Sequence, residues 1–304
     1  MYDSIIILGA TATGKTDFAI KLAKKLDAEI INADSMYIYK EFNIGTAKPT
    51  VKEMKNIKHH LIDFLNPLES FSVSAYRELA SIEIEKLRTR NVLPIVVGGT
   101  GFYIDSLIKT YSYGNSDRDE KLRAELENEL KSKGEIYLHD KLSKLDFESA
   151  QRIHPNDTKR VIRAIEICLN SKVKKSDIAN LSDAVLKKPL IIGLTMPRDI
   201  LYERINNRVD VMISNGLLDE VKSLKDKGYN VSNCNAMKGI GYKELLDYLD
   251  EKCSLNESIE KIKQHSRNYA KRQITWFKRN EDIIWLDSRD KNSIDIVLDK
   301  FKNK

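Results

Sequence analysis

One eight-residue run, Gly9-Ala10-Thr11-Ala12-Thr13-Gly14-Lys15-Thr16, narrows the fold more than anything else in the chain. It fits GxxxxGK[ST] without a gap, and its neighbours supply the context that pattern needs. Ser4 to Gly9 (SIIILG) is a β-branched run of the kind a buried parallel strand requires. Lys15 to Leu26 then sets Phe18, Leu22, Ala23 and Leu26 on one helical stripe. In such a loop the glycines let the backbone wrap closely, successive N–H groups point at phosphate oxygens, and the helix N-terminus adds its dipole. Lys15 contributes a mobile cation, and the Thr16 hydroxyl suits Mg²⁺. A chance Gly-rich turn would require neither the strand nor the helix.

The alternation continues. A second strand is predicted at Glu29 to Ala33, ending at Asp34, and a weaker third at His60 to Phe64. Ser72 to Arg90 predicts a helix, with Val73, Tyr76, Ala80, Ile84 and Leu87 on one face. Leu93 to Val97 (LPIVV) reads as a buried strand running into Gly98-Gly99-Thr100-Gly101. Strand signals return at Pro189 to Thr195 and at Ile283 to Asp287. Between them, from about Asp117 to Ser182, the periodicity is helical and strongly charged. The expected fold is α/β, a parallel sheet flanked by helices as in P-loop proteins, with a helical insertion domain. The expected boundaries are 1–114 and 188–304 for the core and 115–187 for the insertion.

A P-loop does not state whose phosphate it holds. An NTPase normally adds an acid at a later strand end to hold Mg²⁺. Here the strongest later strand ends in GGTG, and Asp63 lies on a weak one. A pyrophosphate carried by the substrate is therefore as compatible as ATP. Asp34 and Thr100 both lie at carboxyl ends of strands, where open parallel sheets bind ligands. Asp34 can accept a hydrogen bond or a proton from an amine, or it can simply cap a helix. Thr100 can assist a reacting group or merely shape a turn.

Charge says more by position than by total. The chain has 304 residues with 51 Lys+Arg against 45 Asp+Glu, a modest excess of +6. Lys261 to Arg279 nevertheless holds seven basic residues and no acid, and Lys263, Arg267 and Lys271 recur on one helical face. Ile259, Ile262, Tyr269 and Trp276 form a separate apolar stripe. A helix packed by one face and basic on another presents cations to phosphates. In the insertion, Arg152, Lys159, Arg160 and Arg163 cluster around His154 to Asp157, although 16 basic and 14 acidic residues nearly cancel over 115–188. Arg204 and Arg208, four apart on one helix, offer a guanidinium to a leaving phosphate or to a surface ion pair. His59-His60 has no second ligand cluster at a metal-binding spacing. Cys168, Cys234 and Cys253 form no CxxC pattern, which argues against a disulfide frame. No apolar run approaches the ~20 residues of a membrane span, and Met1 to Leu8 does not read as a signal peptide. A cytoplasmic protein, by default a monomer, is the expectation.

Taken in order, these motifs resemble one family, the bacterial tRNA dimethylallyltransferases (tRNA isopentenyltransferases). The resemblance covers almost the whole chain: GATATGKT, NADSMYIYK (Asn32 to Lys40), GTAKP (Gly45 to Pro49), HHLID, FSVSAY, GGTGFY (Gly98 to Tyr103), RIHPND with KRVIRAIE, MKGIGYKE (Met237 to Glu244) and RNYAKRQITWFKR (Arg267 to Arg279). Ala10 stands where the family usually has Pro. The resemblance implies transfer of a dimethylallyl group from dimethylallyl diphosphate to N6 of the adenosine next to the anticodon (position 37), with release of pyrophosphate. It implies that Gly9 to Thr16 hold the diphosphate, with Lys15 and Arg208 neutralising it and Mg²⁺ on Thr16. It further implies that Asp34 engages the N6 amine as general base with Thr100 beside it. Asp34, Ser35, Met36, Tyr37, Thr100, Arg123, Lys159, Arg160, Arg163, Lys238, Tyr242, Lys243, Arg267 and Arg272 match stretches that contact tRNA, and the insertion matches a domain that grips the anticodon stem-loop. The alternatives are an adenylate isopentenyltransferase acting on a free nucleotide and a P-loop small-molecule kinase.

Overall fold

The computed structural model describes residues 2–109, 119–171 and 183–303. In chain order the elements are β1 (Ser4–Gly9), α1 (Lys15–Leu26), β2 (Glu29–Asn32), α2 (Val51–Met54), β3 (His59–His60), α3 (Val73–Thr89), β4 (Pro94–Gly98) and α4 (Gly101–Ile108). There follow α5 (Glu120–Leu145), α6 (Phe147–Arg152), α7 (Thr158–Ser171), β5 (Pro189–Thr195), α8 (Arg198–Ser214), α9 (Leu217–Asp226), α10 (Tyr242–Leu249), α11 (Leu255–Phe277), β6 (Ile284–Asp287) and α12 (Ser293–Lys302). The six strands form one sheet in the order β3-β2-β4-β1-β5-β6, and every pairing is parallel. Among the described residues no helix is long and apolar enough to cross a membrane.

Successive strand side chains point to opposite faces, and both faces of β1 are covered, which explains its unbroken apolar run from Ile5 to Leu8. Ile6 and Leu8 face a cluster with Tyr76, Ala80, Ile84 and Leu87 of α3 and Tyr103, Ile104 and Leu107 of α4. Ile5 and Ile7 face the opposite cluster, with Phe18, Ala19, Leu22 and Ala23 of α1 and Val297 of α12. Each of these β1 side chains is at most 1% exposed, and such burial contributes about 1.5–3 kcal/mol per side chain. A third cluster lies apart from the sheet, joining Ile38, Tyr39 and Phe42 to α9, α10 and the first turns of α11.

The third strand is shorter than the expected run His60 to Phe64. Leu61 and Asp63 both take positive φ (57° and 54°), so the chain turns out of the sheet directly after His60. His60 is committed to carboxylates: Nε2 meets Glu29 Oε2 at 2.6 Å and Nδ1 meets Glu83 Oε2 at 2.8 Å.

The chain divides into two compact units, 1–108 with 185–304, and 109–184. The expected boundary at 114/115 lies outside the described residues. Residues 185–187 group with the first unit, where Leu186 is 1% exposed in the sheet-flanking core. The second unit packs α5, which bends at Gly134, with α6 and α7 around Leu126, Leu138, Leu142, Val161 and Ile165.

Candidate active site

The loop after β1 and the start of α1 build one wall of a cleft of about 890 Å³. Gly14 is the N-cap of α1 at φ 86°, a left-handed conformation that a side chain resists, and no side chain caps the helix there. The first amides of α1 therefore have no side-chain competitor for an anion at this helix end. Lys15 folds back over the loop, its Nζ donating to the Ala10 carbonyl at 2.8 Å. Burial lowers its pKa to about 8; Asp34 opposes the shift and Arg208 adds to it.

Asp34 caps no helix. It lies two residues beyond the end of β2, and its Oδ1 accepts from the Met36 N–H at 3.0 Å. Its backbone is fixed by Asn32, whose Oδ1 accepts from the Asp34 N–H (2.9 Å) while Nδ2 donates to the Asp34 and Leu61 carbonyls. Burial pushes the Asp34 carboxyl above the usual range, against the opposing pull of the Met36 amide, Lys15 and Arg208. Tyr37 stands nearby with its hydroxyl on Arg208, and burial raises its pKa to about 12.

Arg208 of α8 lines the cleft and donates from Nη1 to Thr11 Oγ1 at 3.2 Å. Arg204 is exposed, its Nη2 about 4.0 Å from where a Cβ on Gly14 would stand. Both arginines thus reach the loop, and only Arg208 is held inside the cleft. Thr100 is fixed by Ser35, whose N–H donates to Thr100 Oγ1 at 3.0 Å; that hydroxyl reaches Ser35 Oγ at 3.2 Å. Asp34, Ser35, Met36, Tyr37, Thr16, Lys238 and Arg272 also line the cleft.

Several expected surface contacts are placed otherwise. Tyr242 is 0% exposed and its hydroxyl donates to Glu220 Oε1 at 2.7 Å, so it is a core residue and offers no face to a nucleic acid. Arg123 grips the fully buried Glu166 with two bonds, 3.0 and 2.6 Å, and Arg163 reaches the same carboxylate at 3.4 Å. This pair holds α5 to α7. Lys263 pairs with Asp210 at 2.9 Å, and Arg267 donates to Asn206 at 2.6 Å. The Lys263–Arg267 stretch of the basic face therefore packs on α8. Lys159, Lys243, Lys271 and Arg272 remain exposed, as does Arg160, which meets Asp157 at 3.3 Å.

Two residues absent from the expected set support the site. Gln273, 5% exposed, joins the phosphate loop to the β4–α4 loop, with Tyr269 beside it reaching Thr100. Glu220 accepts from three consecutive backbone amides, Asn43 (3.1 Å), Ile44 (2.8 Å) and Gly45 (3.1 Å), fixing the far wall of the cleft. Gln273 had a signal in the sequence: it shares the buried face of α11 with Ile262, Ala270 and Phe277. Glu220 had none, because the three amides it holds lie about 175 residues away.

The IPP transferase family pattern matches residues 37–280. A tRNA dimethylallyltransferase of Clostridioides difficile is 49% identical over 96% of this chain and 93% of its own length. One from Bacillus subtilis is 47% identical over 93% and 90%. Among solved structures, the full-length tRNA isopentenylpyrophosphate transferase of Bacillus halodurans is 43% identical, with a TM-score of 0.73 over 99% of this chain and 95% of that one. A eukaryotic dimethylallyltransferase solved acting on tRNA is 30% identical, with a TM-score of 0.86 over 100% and 80%.

Proposed function

The chain belongs to the IPP transferase family, and on that premise we propose that it moves a dimethylallyl group from dimethylallyl diphosphate to N6 of adenosine 37, next to the anticodon of a tRNA. The observation that carries the reading is the convergence of α1's uncapped amides, Lys15, Arg208 and Asp34 on one cleft. An anion site and a proton acceptor are thus brought face to face.

The reaction forms the N6–C1 bond and breaks the allylic C1–O bond, so negative charge grows on the departing pyrophosphate. The α1 amides, Lys15 and Arg208 are preorganised for that charge. Asp34, with a carboxyl raised by burial, is suited to take the proton that N6 loses. Thr100 and Ser35 fix the backbone beside Asp34 and so its aim. A loop adenosine extruded into the cleft meets this carboxylate at small unstacking cost.

Thr16 is the residue that would hold Mg²⁺. Its hydroxyl lines the cleft and takes no protein partner among the described residues, which fits an ion that draws most of its ligands from diphosphate and water. When bound, Mg²⁺ supplies further neutralisation of the leaving group. For the RNA, Arg272 and Lys238 at the cleft and exposed Lys159, Arg160, Lys243 and Lys271 are the cations that phosphates would meet.

Labelled dimethylallyl diphosphate offered with tRNA or with AMP tests the reading. Label on one anticodon-loop adenosine, seen as a mass shift after nuclease digestion, is the expected result. Label in AMP alone would overturn the choice of tRNA, and phosphate transfer from ATP without prenyl transfer would overturn the chemistry.

A further inference from the structure

We propose that Gln273 is a positioning residue that sets the span between the diphosphate cradle and the Thr100 loop. The inference rests on the prenyl-transfer reading above. The Gln273 amide works at both ends: Oε1 accepts from the Thr11 N–H at 2.8 Å, and Nε2 donates to the Gly99 carbonyl at 2.9 Å. The first partner follows β1 and the second follows β4. The ladder between these neighbouring strands stops at Leu8 and Gly98, where the phosphate loop and the Thr100 loop begin.

Three further features converge on the same amide. A Cβ on Gly99 would strike Gln273 Nε2, so the absence of a side chain there makes room for the bridge. Tyr269, one turn earlier on α11, sets its hydroxyl against both Thr100 and Gln273. Arg208 holds Thr11 from the other side through its hydroxyl. Thr11 is thus pinned between α8 and α11, and its amide is committed to Gln273. A shift of this bridge would move the leaving-group site relative to Thr100 and Asp34, and misplacement by ~1 Å can cost about 100-fold in rate.

The test uses Gln273→Met, which keeps the length and removes both bonds, and Gly99→Ala, which displaces the amide while leaving the glutamine in place. Inorganic pyrophosphate binding, tRNA binding, kcat, KM and thermal midpoint are measured for each. Gln273→Met is expected to weaken pyrophosphate binding about tenfold and to lower kcat by about 30- to 100-fold, with tRNA affinity within about twofold of wild type. Gly99→Ala should reproduce this pattern, and the double variant should be no worse than the weaker single one. A merely structural glutamine would lower the thermal midpoint and leave kcat of the folded fraction unchanged. Retention of kcat and pyrophosphate affinity within about twofold in Gln273→Met, or strict additivity of the two substitutions, overturns the proposal. Should the wild type bind pyrophosphate and tRNA yet transfer no prenyl group, the functional reading fails instead, and pyrophosphate binding still judges Gln273.

Discussion

Removing the charge of Lys15, by titration or by Lys15→Met, separates what this residue does for the fold from what it does for the reaction. Burial brings its ammonium from 10.5 to about 8, a difference equivalent to about 3 kcal/mol against the charged form in the folded state. The sign follows from proton counting. Between those two pH values the unfolded chain holds a proton that the folded chain has released, so stability rises with pH across that interval. Below about pH 8 the whole penalty is present. Lys15→Met removes it but also loses the 2.8 Å bond to Ala10, worth about 1 kcal/mol. The variant should therefore exceed wild type at about pH 7 by roughly 1–2 kcal/mol, a rise of roughly 2–4 °C in thermal midpoint, and the gap should close toward about pH 10.5. Activity runs the other way. An uncharged amine gives the diphosphate no ion pair, so kcat/KM for dimethylallyl diphosphate, which reports the free enzyme, should fall about tenfold per pH unit above about pH 8. Lys15→Arg should lose that alkaline limb. A flat profile to about pH 9.5, together with a Lys15→Met protein less stable than wild type at about pH 7, would refute the reasoning.

Asp34→Asn keeps the size of the side chain and removes the proton acceptor; prenyl transfer should drop at least ~100-fold while a gel shift with tRNA is little changed. Arg272→Ala exposes the Tyr269 ring it now covers at 5.7 Å and should weaken tRNA binding, with the salt slope reduced by about 1. Glu220→Ala strands three loop amides and the buried Tyr242 hydroxyl. A loss of about 2–4 kcal/mol by urea denaturation and a higher KM are expected, and an unchanged KM would detach the Asn43–Gly45 loop from substrate binding.

The sheet was legible because its strands are β-branched runs at the spacing of a doubly wound fold, and the phosphate loop because its pattern is local. Asp34 and Thr100 followed from one rule about the carboxyl ends of parallel strands. The distribution of free charge was not legible. Lys263, Arg267 and Arg123 count as cations in the sequence, yet Asp210, Asn206 and Glu166, which tie them to other helices, lie 43 to 61 residues away. Ion pairing at that separation is decided by helix packing, which the helical period alone does not fix. The burial of Tyr242 was hidden for a different reason: it lies between two lysines in a motif that matches tRNA contacts, while its own turn of α10 places it with buried Leu245 and Leu246. The β3 strand ended early because Leu61 and Asp63 adopt a conformation their side chains do not advertise.

The two walls of the cleft rest on different foundations. The phosphate loop springs from β1, at the centre of the sheet, while the wall from Met36 to Gly45 leans on the separate cluster around Phe42, Tyr242 and Met237. Native-state hydrogen exchange should therefore find two populations, with the amides of 36–46, α9 and α10 opening together at lower free energy than those of β1 and β4. On that result the anion site on β1 would stay formed while the 36–46 wall opens, and equal exchange at both walls would show that the two cores open as one.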